Sequence, residues 1–134
     1  MADRECGGEA ERSARQPVVL VVEDEILVRH TIAQDLRDAG FTVIEAADAL
    51  EAVGVFASGS AVDAVFSDIH MPGAIDGFGL AHWIAQHHAA TRVLLTSGNP
   101  AHRAARPTDA SFFSKPYNAD AVASRIRALL KAGD

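Results

Sequence analysis

Several polar side chains follow apolar runs of the sequence, each at the point where a run ends. In chain order they are Glu23, Asp24, Asp68, Thr96, Ser97 and Lys115. If the runs are parallel strands, their carboxyl ends share one edge of a sheet, and the polar groups surround one pocket. Carboxylates about 4 Å apart repel by roughly 4 kcal/mol at an effective dielectric of about 20, so three of them need a cation. Oxygen ligands of this kind favour Mg²⁺, which readily shares its shell with a phosphate.

Each of these residues also has a simpler interpretation. Glu23 and Asp24 could form a solvated turn that caps a helix, and Asp68 could be an ordinary loop residue. The two hydroxyl residues could be helix caps, and Lys115 could be a surface lysine. The joint pattern favours a site, because several different groups at the ends of successive runs, in this order, are hard to obtain by chance in so short a chain.

The elements that would position these groups are five apolar runs of strand length, separated by segments with helical periodicity. The runs are residues 18–22, 41–45, 62–67, 93–96 and 111–114. Those that begin at Val18, Val62 and Val93 are continuous rather than alternating, as expected for strands covered on both faces. The alternation of strands and helices predicts a three-layer, doubly wound α/β sandwich around a parallel sheet.

Four helices follow from the periodicity, and a further helical segment is weaker. The four helices begin near Glu25, Asp48, Phe78 and Asn118. In the segment 99–108, Pro100 and Pro107 bracket only a few residues. A fourth helix in chain order would therefore be short or vestigial, with two turns at most.

Length and charge limit the remaining possibilities. The 134-residue chain has room for one domain, which we place at residues 17–134, after a flexible N-terminal tail of residues 1–16 that has no apolar periodicity. A net charge of −6 argues against direct binding of nucleic acid or of an anionic membrane. Cys6 has no second cysteine to pair with, and no segment has the pattern of a signal peptide or a membrane span, so a cytoplasmic protein is expected.

Four short motifs around the polar groups resemble those of the receiver domains of bacterial response regulators in two-component systems. They are Val-Val-Glu23-Asp24-Glu25, Ser67-Asp68-Ile-His-Met71-Pro72-Gly73, Leu-Leu-Thr96-Ser97-Gly98 and Lys115-Pro116-Tyr117. The resemblance covers the chain from Pro17 onward. It implies a CheY-like, flavodoxin-like fold with five parallel strands in the order 2-1-3-4-5.

The resemblance also implies what each motif residue does. Asp68 would accept a phosphoryl group from a sensor histidine kinase or a phosphotransfer protein within a phosphorelay. Mg²⁺ would be held by Glu23, Asp24, Asp68 and the backbone carbonyl of His70. The domain would catalyse only its own aspartyl phosphorylation and dephosphorylation, chiefly through positioning and electrostatics.

The remaining motif residues would bind the phosphoryl group and report its presence. Thr96 and Lys115 would each contact a phosphoryl oxygen, and a cis peptide would precede Pro116. Thr96 and Phe112 would form the switch, since the hydroxyl moves towards the phosphoryl group while the aromatic ring turns inward. Phe112 lacks the hydroxyl of the more usual tyrosine, which predicts a bias towards the inward rotamer.

We expect a stand-alone receiver that signals through protein–protein contacts with an effector, as a monomer or a phosphorylation-dependent dimer. Two connecting segments also depart from the family pattern. The loop 71–77 is one residue longer than usual, which could shift His70 or the start of the third helix. The segment from Thr96 to Phe112 is shorter than usual, which makes the choice of partner hard to infer by analogy.

Three other functions are weighed against this interpretation. An aspartate-dependent phosphatase usually has a second acid two residues after its nucleophile, where this chain has His70. A flavin-binding domain needs a phosphate loop rich in hydroxyl groups and glycine after its first strand, where Glu23, Asp24 and Glu25 would repel a phosphate. A degenerate receiver that serves only as a binding module would lack part of the set of site residues, which is complete here.

Overall fold

Five strands and five helices alternate along residues 16–105 and 110–132, the part of the chain that the computed structural model describes. The strands are β1 (Val18–Val22), β2 (Thr42–Ala46), β3 (Ala64–Asp68), β4 (Arg92–Ser97) and β5 (Ser111–Ser114). The helices are α1 (Ile26–Asp38), α2 (Ala49–Ala57), α3 (Gly77–His87), α4 (Ala101–Ala105) and α5 (Ala119–Ala132). Every predicted strand is confirmed, with ends that move by at most two residues.

The strands form one parallel sheet in the order β2-β1-β3-β4-β5, as predicted. The register pairs Val22 with Ser67 and Asp68 with Thr96, and Ser97 pairs with the last residue of β5. The ends of β1, β3, β4 and β5 therefore lie side by side. We call this carboxyl edge of the sheet the site edge.

Helices cover both faces of the sheet, which explains why its strands are apolar throughout. Along β1, Val19 and Val21 belong to one core, and Leu20 and Val22 belong to the other. The first core is completed mainly from α1 and α5, by Ile32, Ala33, Leu36, Val122, Ala123 and Ile126. The second is completed mainly from α2 and α3, by Ala49, Ala52, Phe56, Leu80 and Ile84. Each large aliphatic side chain contributes about 1.5–3 kcal/mol by this burial, so the central strands form a firm base for the site edge.

Polar side chains and one glycine define where the helices begin and end. Asp48 Oδ1 accepts a hydrogen bond from the Glu51 N–H at 2.9 Å, and Glu51 Oε1 accepts the N–H of Ala47 at 2.7 Å, so these two side chains cap the start of α2. The side chains of Asp76 and Asn118 accept backbone N–H groups at the starts of α3 and α5 in the same way. Gly40, just beyond α1, has a φ of +105°, which glycine adopts without steric penalty.

Helix α4 is short, as predicted, and none of its five residues is buried. The predicted segment runs on to residue 108, but residues 106–109 lie outside the described part of the chain. Of the predicted N-terminal tail, only Gln16 is described, and its side-chain oxygen accepts a hydrogen bond from the Thr42 hydroxyl at 3.0 Å. Among the helices described, none has both the length and the apolar character needed to cross a bilayer.

Candidate functional site

Asp68 is the last residue of β3 and lies at the site edge with 6% of its surface exposed. The Ser67 hydroxyl donates to the carbonyl oxygen of Asp68 at 2.8 Å. The next N–H, that of Ile69, donates to the Thr96 carbonyl at 3.0 Å. The backbone on both sides of Asp68 is therefore fixed, and its carboxylate is presented from a rigid strand end.

Glu23, Asp24 and Asp68 form a cluster in which carboxylate oxygens from all three residues lie within 4.8 Å of one another. Glu23 is 4% exposed, whereas Asp24 is open to solvent. A negative, all-oxygen donor set with one open side fits a hard divalent cation such as Mg²⁺, which retains part of its water shell. The fold thus brings together the acidic pair and the acceptor that the sequence predicted.

The charges of this cluster are only partly compensated by the protein itself. Burial raises the pKa of Glu23 above its ordinary value of 4.5, and the neighbouring charge of Asp68 adds to the effect. The Glu25 N–H, which donates to Glu23 Oε2 at 3.0 Å, and the ammonium of Lys115 act in the opposite direction without cancelling it. A bound cation would relieve the remaining repulsion, which is a physical reason to place a metal here.

Lys115, which follows β5, reaches both buried carboxylates. Its Nζ lies 3.2 Å from Asp68 Oδ2 and 3.5 Å from Glu23 Oε1. Burial opposes the charged form, but the two carboxylates outweigh it, and the pKa of Lys115 is raised above its ordinary value of 10.5. The ammonium is therefore charged at neutral pH and stands beside Asp68. A cis peptide joins Lys115 to Pro116, as predicted.

Thr96 is paired with Asp68 in the sheet, but its hydroxyl is engaged with the neighbouring strand. The Thr96 Oγ1 donates to the carbonyl oxygen of Phe113 at 2.8 Å, and the residue is 2% exposed. A role as a ligand of a phosphoryl group would require the hydroxyl to leave Phe113. The structure therefore has Thr96 at the predicted place, with its hydroxyl held by β5.

Phe112 points into the protein and is 9% exposed. Its ring belongs to a small apolar cluster with Ile69, Ala81 and Leu95. The guanidinium of Arg103 in α4 lies 4.9 Å from the ring centroid, within the range of a cation–π interaction. The ring is thus inward in this structure, while its part in a switch stays a prediction.

Ser97 joins the end of β4 to α4 by a contact that the sequence did not reveal. Its hydroxyl oxygen lies 2.6 Å from His102 Nδ1 and accepts the N–H of Asn99 at 3.0 Å. The ring of His102 meets the ring of Phe78 edge-on, with centroids 5.4 Å apart. Ser97 therefore positions α4 against the site edge.

The loop between Asp68 and α3 contains the remaining predicted ligand and an unpredicted close contact. His70 is exposed, and its carbonyl as a metal ligand stays a prediction. At Gly77, the first residue of α3, a Cβ atom would lie 2.4 Å from the Asp68 carbonyl oxygen and 2.6 Å from the Ile69 Cα. Only glycine lets the helix begin so close to the strand end that carries Asp68.

Tyr117 lies beside the site and is sensitive to its charge. Its ring packs edge-on against Phe66 with centroids 5.1 Å apart. Burial raises the pKa of Tyr117 to about 12, and the charges of Glu23 and Asp68 contribute to the increase. The phenol is therefore a natural reporter of the electrostatic state of the site.

Arg29 and Glu45, which sequence reasoning missed, support the acidic pair from the β2 side. The Arg29 Nη1 donates to the backbone carbonyl of Glu23 at 2.9 Å, and its Nε lies 3.2 Å from Glu45 Oε1. The two residues are 16 positions apart on different elements. No local spacing links them, so only the fold reveals the contact.

Comparison with known proteins places this site in a family. Residues 19–127 match the family model described as the response regulator receiver domain. The chain is 35% identical over 121 residues to the sensor kinase CckA of Brucella abortus, covering 87% of this chain and 13% of the relative. It is 34% identical over 119 residues to the transcriptional regulatory protein TcrA of Mycobacterium tuberculosis, covering 86% and 46%. The chain thus spans less than half the length of these relatives.

The fold is also similar to that of a response regulator whose structure has been solved. The crystal structure of the response regulator TrrA from Thermotoga maritima, in complex with Mg²⁺–BeF, matches with a TM-score of 0.75 and 27% identity. The match covers 85% of this chain and 99% of that chain. Because its residues 19–127 match the family model, and its strand order is the one that the resemblance implied, the chain belongs to the response regulator receiver domains of two-component signalling.

Proposed function

We propose that Asp68 accepts a phosphoryl group from a histidine kinase or a phosphotransfer protein, in a reaction that depends on Mg²⁺. Glu23, Asp24, Asp68 and the backbone carbonyl of His70 would hold the metal. The phosphorylated domain would then be recognised by an effector protein.

One observation supports this proposal above the others. The Nζ of Lys115 lies 3.2 Å from Asp68 Oδ2, at the edge of a cluster of three carboxylates. A surface lysine without a function would not need to be placed between two buried acids. The same ammonium is well placed to pair with a phosphoryl oxygen once Asp68 is phosphorylated.

The chemistry follows from the groups at the site edge. An oxygen of the Asp68 carboxylate would attack the phosphorus, and the bond from phosphorus to the donor's imidazole nitrogen would break, leaving its electron pair on that nitrogen. Lys115 and Thr96 would contact the oxygens of the transferred group. A bound Mg²⁺ would supply neutralisation of the remaining charge, so catalysis depends on positioning and electrostatics.

The readout would begin at Thr96. Its hydroxyl, which now donates to the Phe113 carbonyl, would move to the phosphoryl group and free that carbonyl. Phe112 and its contact with Arg103 would transmit the change to α4. Because the Phe112 ring is already inward in this structure, it is expected to stay buried after phosphorylation, and a ring that lies outside in both forms would contradict its part in the switch.

The proposal is tested by incubating the protein with a small-molecule phosphodonor, with and without Mg²⁺, and measuring the intact mass. We expect the mass of one phosphoryl group to be added only with Mg²⁺, in a linkage that is stable to acid and labile to base. Asp68→Asn should abolish the addition because it removes the nucleophile.

A matched control is Asp38→Asn, which makes the same chemical change at an exposed position near the end of α1. It should be phosphorylated like the unaltered protein. Phosphorylation that persists in Asp68→Asn, or that never occurs with any donor, would favour a receiver used only as a binding module.

A further inference from the structure

Arg29 joins the site edge to β2 through two directed contacts. Its Nη1 donates to the backbone carbonyl of Glu23 at 2.9 Å, and its Nε lies 3.2 Å from Glu45 Oε1. The side chain of Arg29 is only 15% exposed. A guanidinium with one partner just beyond β1 and the other in β2 can occupy few conformations.

The carbonyl that Arg29 contacts is a sensitive point of the site. It belongs to the peptide unit between Glu23 and Asp24, and a peptide unit is planar. Holding the oxygen in place therefore also restricts the positions of the Cα atoms of Glu23 and Asp24, which carry the two acidic side chains. On the other side, the N–H of Glu23 donates to the Ala46 carbonyl at 3.1 Å.

Glu45 holds Arg29 in place and balances its charge. Arg37 Nη1 lies 3.2 Å from the other oxygen of Glu45 and its Nη2 donates to the Val43 carbonyl at 3.1 Å. Burial opposes ionisation of Glu45, but the hydrogen bonds from the two arginines outweigh it and lower its pKa below the ordinary 4.5. Glu45 is thus an anion at neutral pH, locked between two cations.

We infer that Arg29, held by Glu45, is a positioning residue that fixes the Glu23–Asp24 peptide and thereby sets the affinity of the acidic cluster for a divalent cation. The inference rests on the metal site of the proposed function. Arg29 is not one of the proposed metal ligands, and its contacts are with the Glu23 carbonyl and Glu45, so it would act only through the geometry of the two ligands.

Electrostatics and positioning make opposite predictions for Arg29, which makes the inference testable. If only its charge mattered, Arg29→Met would remove a cation near the site and tighten the binding of Mg²⁺. If it positions the ligands, Arg29→Met should weaken binding about tenfold, as is typical when a group that orients metal ligands is lost. Arg29→Lys keeps the charge but lacks the planar fork that bridges Glu23 and Glu45, and should weaken binding roughly threefold.

The matched control is Arg37→Met, which removes the same charge from the other side of Glu45 and leaves the contact with Glu23. It should change the affinity by less than about twofold. Binding is measured with MgCl₂ alone, on the whole chain, from the amide resonances of Asp24 and Ile69. Urea unfolding without metal verifies that each variant is folded. If Arg29→Met does not fold, the Mg²⁺ affinity of Arg29→Lys tests the inference instead.

The outcomes separate the two proposals. Weaker binding for both Arg29 variants, with Arg37→Met unchanged, supports the inference. If the unaltered protein binds Mg²⁺ and either Arg29→Met binds as tightly or Arg37→Met loses as much affinity, the inference is wrong and the proposed function stands. If the unaltered protein binds no Mg²⁺ at all, both the metal-dependent step of the proposed function and this inference are wrong.

Discussion

Replacing Gly77 by alanine should disturb the site without altering any charged group. The new Cβ would meet the Asp68 carbonyl oxygen at 2.4 Å and the Ile69 Cα at 2.6 Å, well inside an ordinary contact of about 3.5 Å. Because both neighbours are backbone atoms, the start of α3 must withdraw by about 1 Å. The hydrogen bond from the Gly77 N–H to the Ile69 carbonyl, 2.9 Å long, would lengthen with it.

The expected loss of stability can be worked out from these contacts. Overpacking costs about 1–3 kcal/mol and a weakened hydrogen bond about 0.5–1.5 kcal/mol, against a gain of up to about 1 kcal/mol from the better helix propensity of alanine. We therefore expect Gly77→Ala to lower the free energy of unfolding by about 2 kcal/mol. Phosphorylation of Asp68 should slow as well, since the shift moves the backbone that presents the carboxylate.

Gly54→Ala provides the matched control. Gly54 lies exposed within α2, where a Cβ would meet nothing within 4 Å, so the same substitution should stabilise the protein by up to about 1 kcal/mol. Urea unfolding followed by the fluorescence of Trp83, the single tryptophan of the chain, measures both variants. The reasoning is refuted if Gly77→Ala unfolds at the same or a higher urea concentration than the unaltered protein.

Two further predictions concern titration. Tyr117 is the only tyrosine, so the tyrosinate absorbance reports its ionisation and should rise with a midpoint at a pH of about 12. Glu23→Gln should lower this midpoint, because it removes one of the nearby negative charges. A midpoint near pH 10, in protein that circular dichroism shows to be still folded, would contradict the proximity of the site charges. Since its folded pKa is raised, Tyr117 contributes stability that is present below pH 10 and is lost as the pH rises towards 12. For Glu45 the sign is opposite, because its pKa is lowered: its contribution is present above pH 4.5 and is lost as the pH falls through the folded value. Glu45→Gln should therefore lower the free energy of unfolding by roughly 1 kcal/mol at neutral pH and leave it unchanged in strong acid. Urea unfolding at a series of pH values across this range measures the difference, and an equal loss at neutral and acidic pH would show that Glu45 acts by packing alone.

The strands and the composition of the site were predictable because both depend on short, local stretches of sequence. A continuous apolar run such as that from Val18 signals a strand buried on both faces, and the polar residue that ends each run signals the functional edge. The parallel register then brings Lys115 to Asp68, as predicted. The start of a helix near Asp48 was predictable for the same reason, since the Asp48 side chain and the Glu51 N–H that it accepts lie within one helical turn.

What could not be predicted depends on contacts between distant segments. In the sequence, Arg29 looks like an ordinary polar residue on the solvated side of a helix, and no local spacing indicates that it pairs with Glu45. Gly77 reads as part of a turn, whereas its constraint comes from the backbone at Asp68. The engagement of the Thr96 hydroxyl with β5 is likewise a property of the assembled sheet. The stand-alone organisation, the flexible tail and the domain limits stay predictions.

Helix α4 holds its place without contributing a buried side chain, which has a consequence for how the domain can respond. Lifting it away would expose no buried side chain of its own, so the local opening free energy should be far below that of global unfolding. The described contacts that hold it include those of His102 with the Ser97 hydroxyl and of Arg103 with the Phe112 ring. A partner that competes for these two side chains could remodel this part of the surface while both cores stay intact.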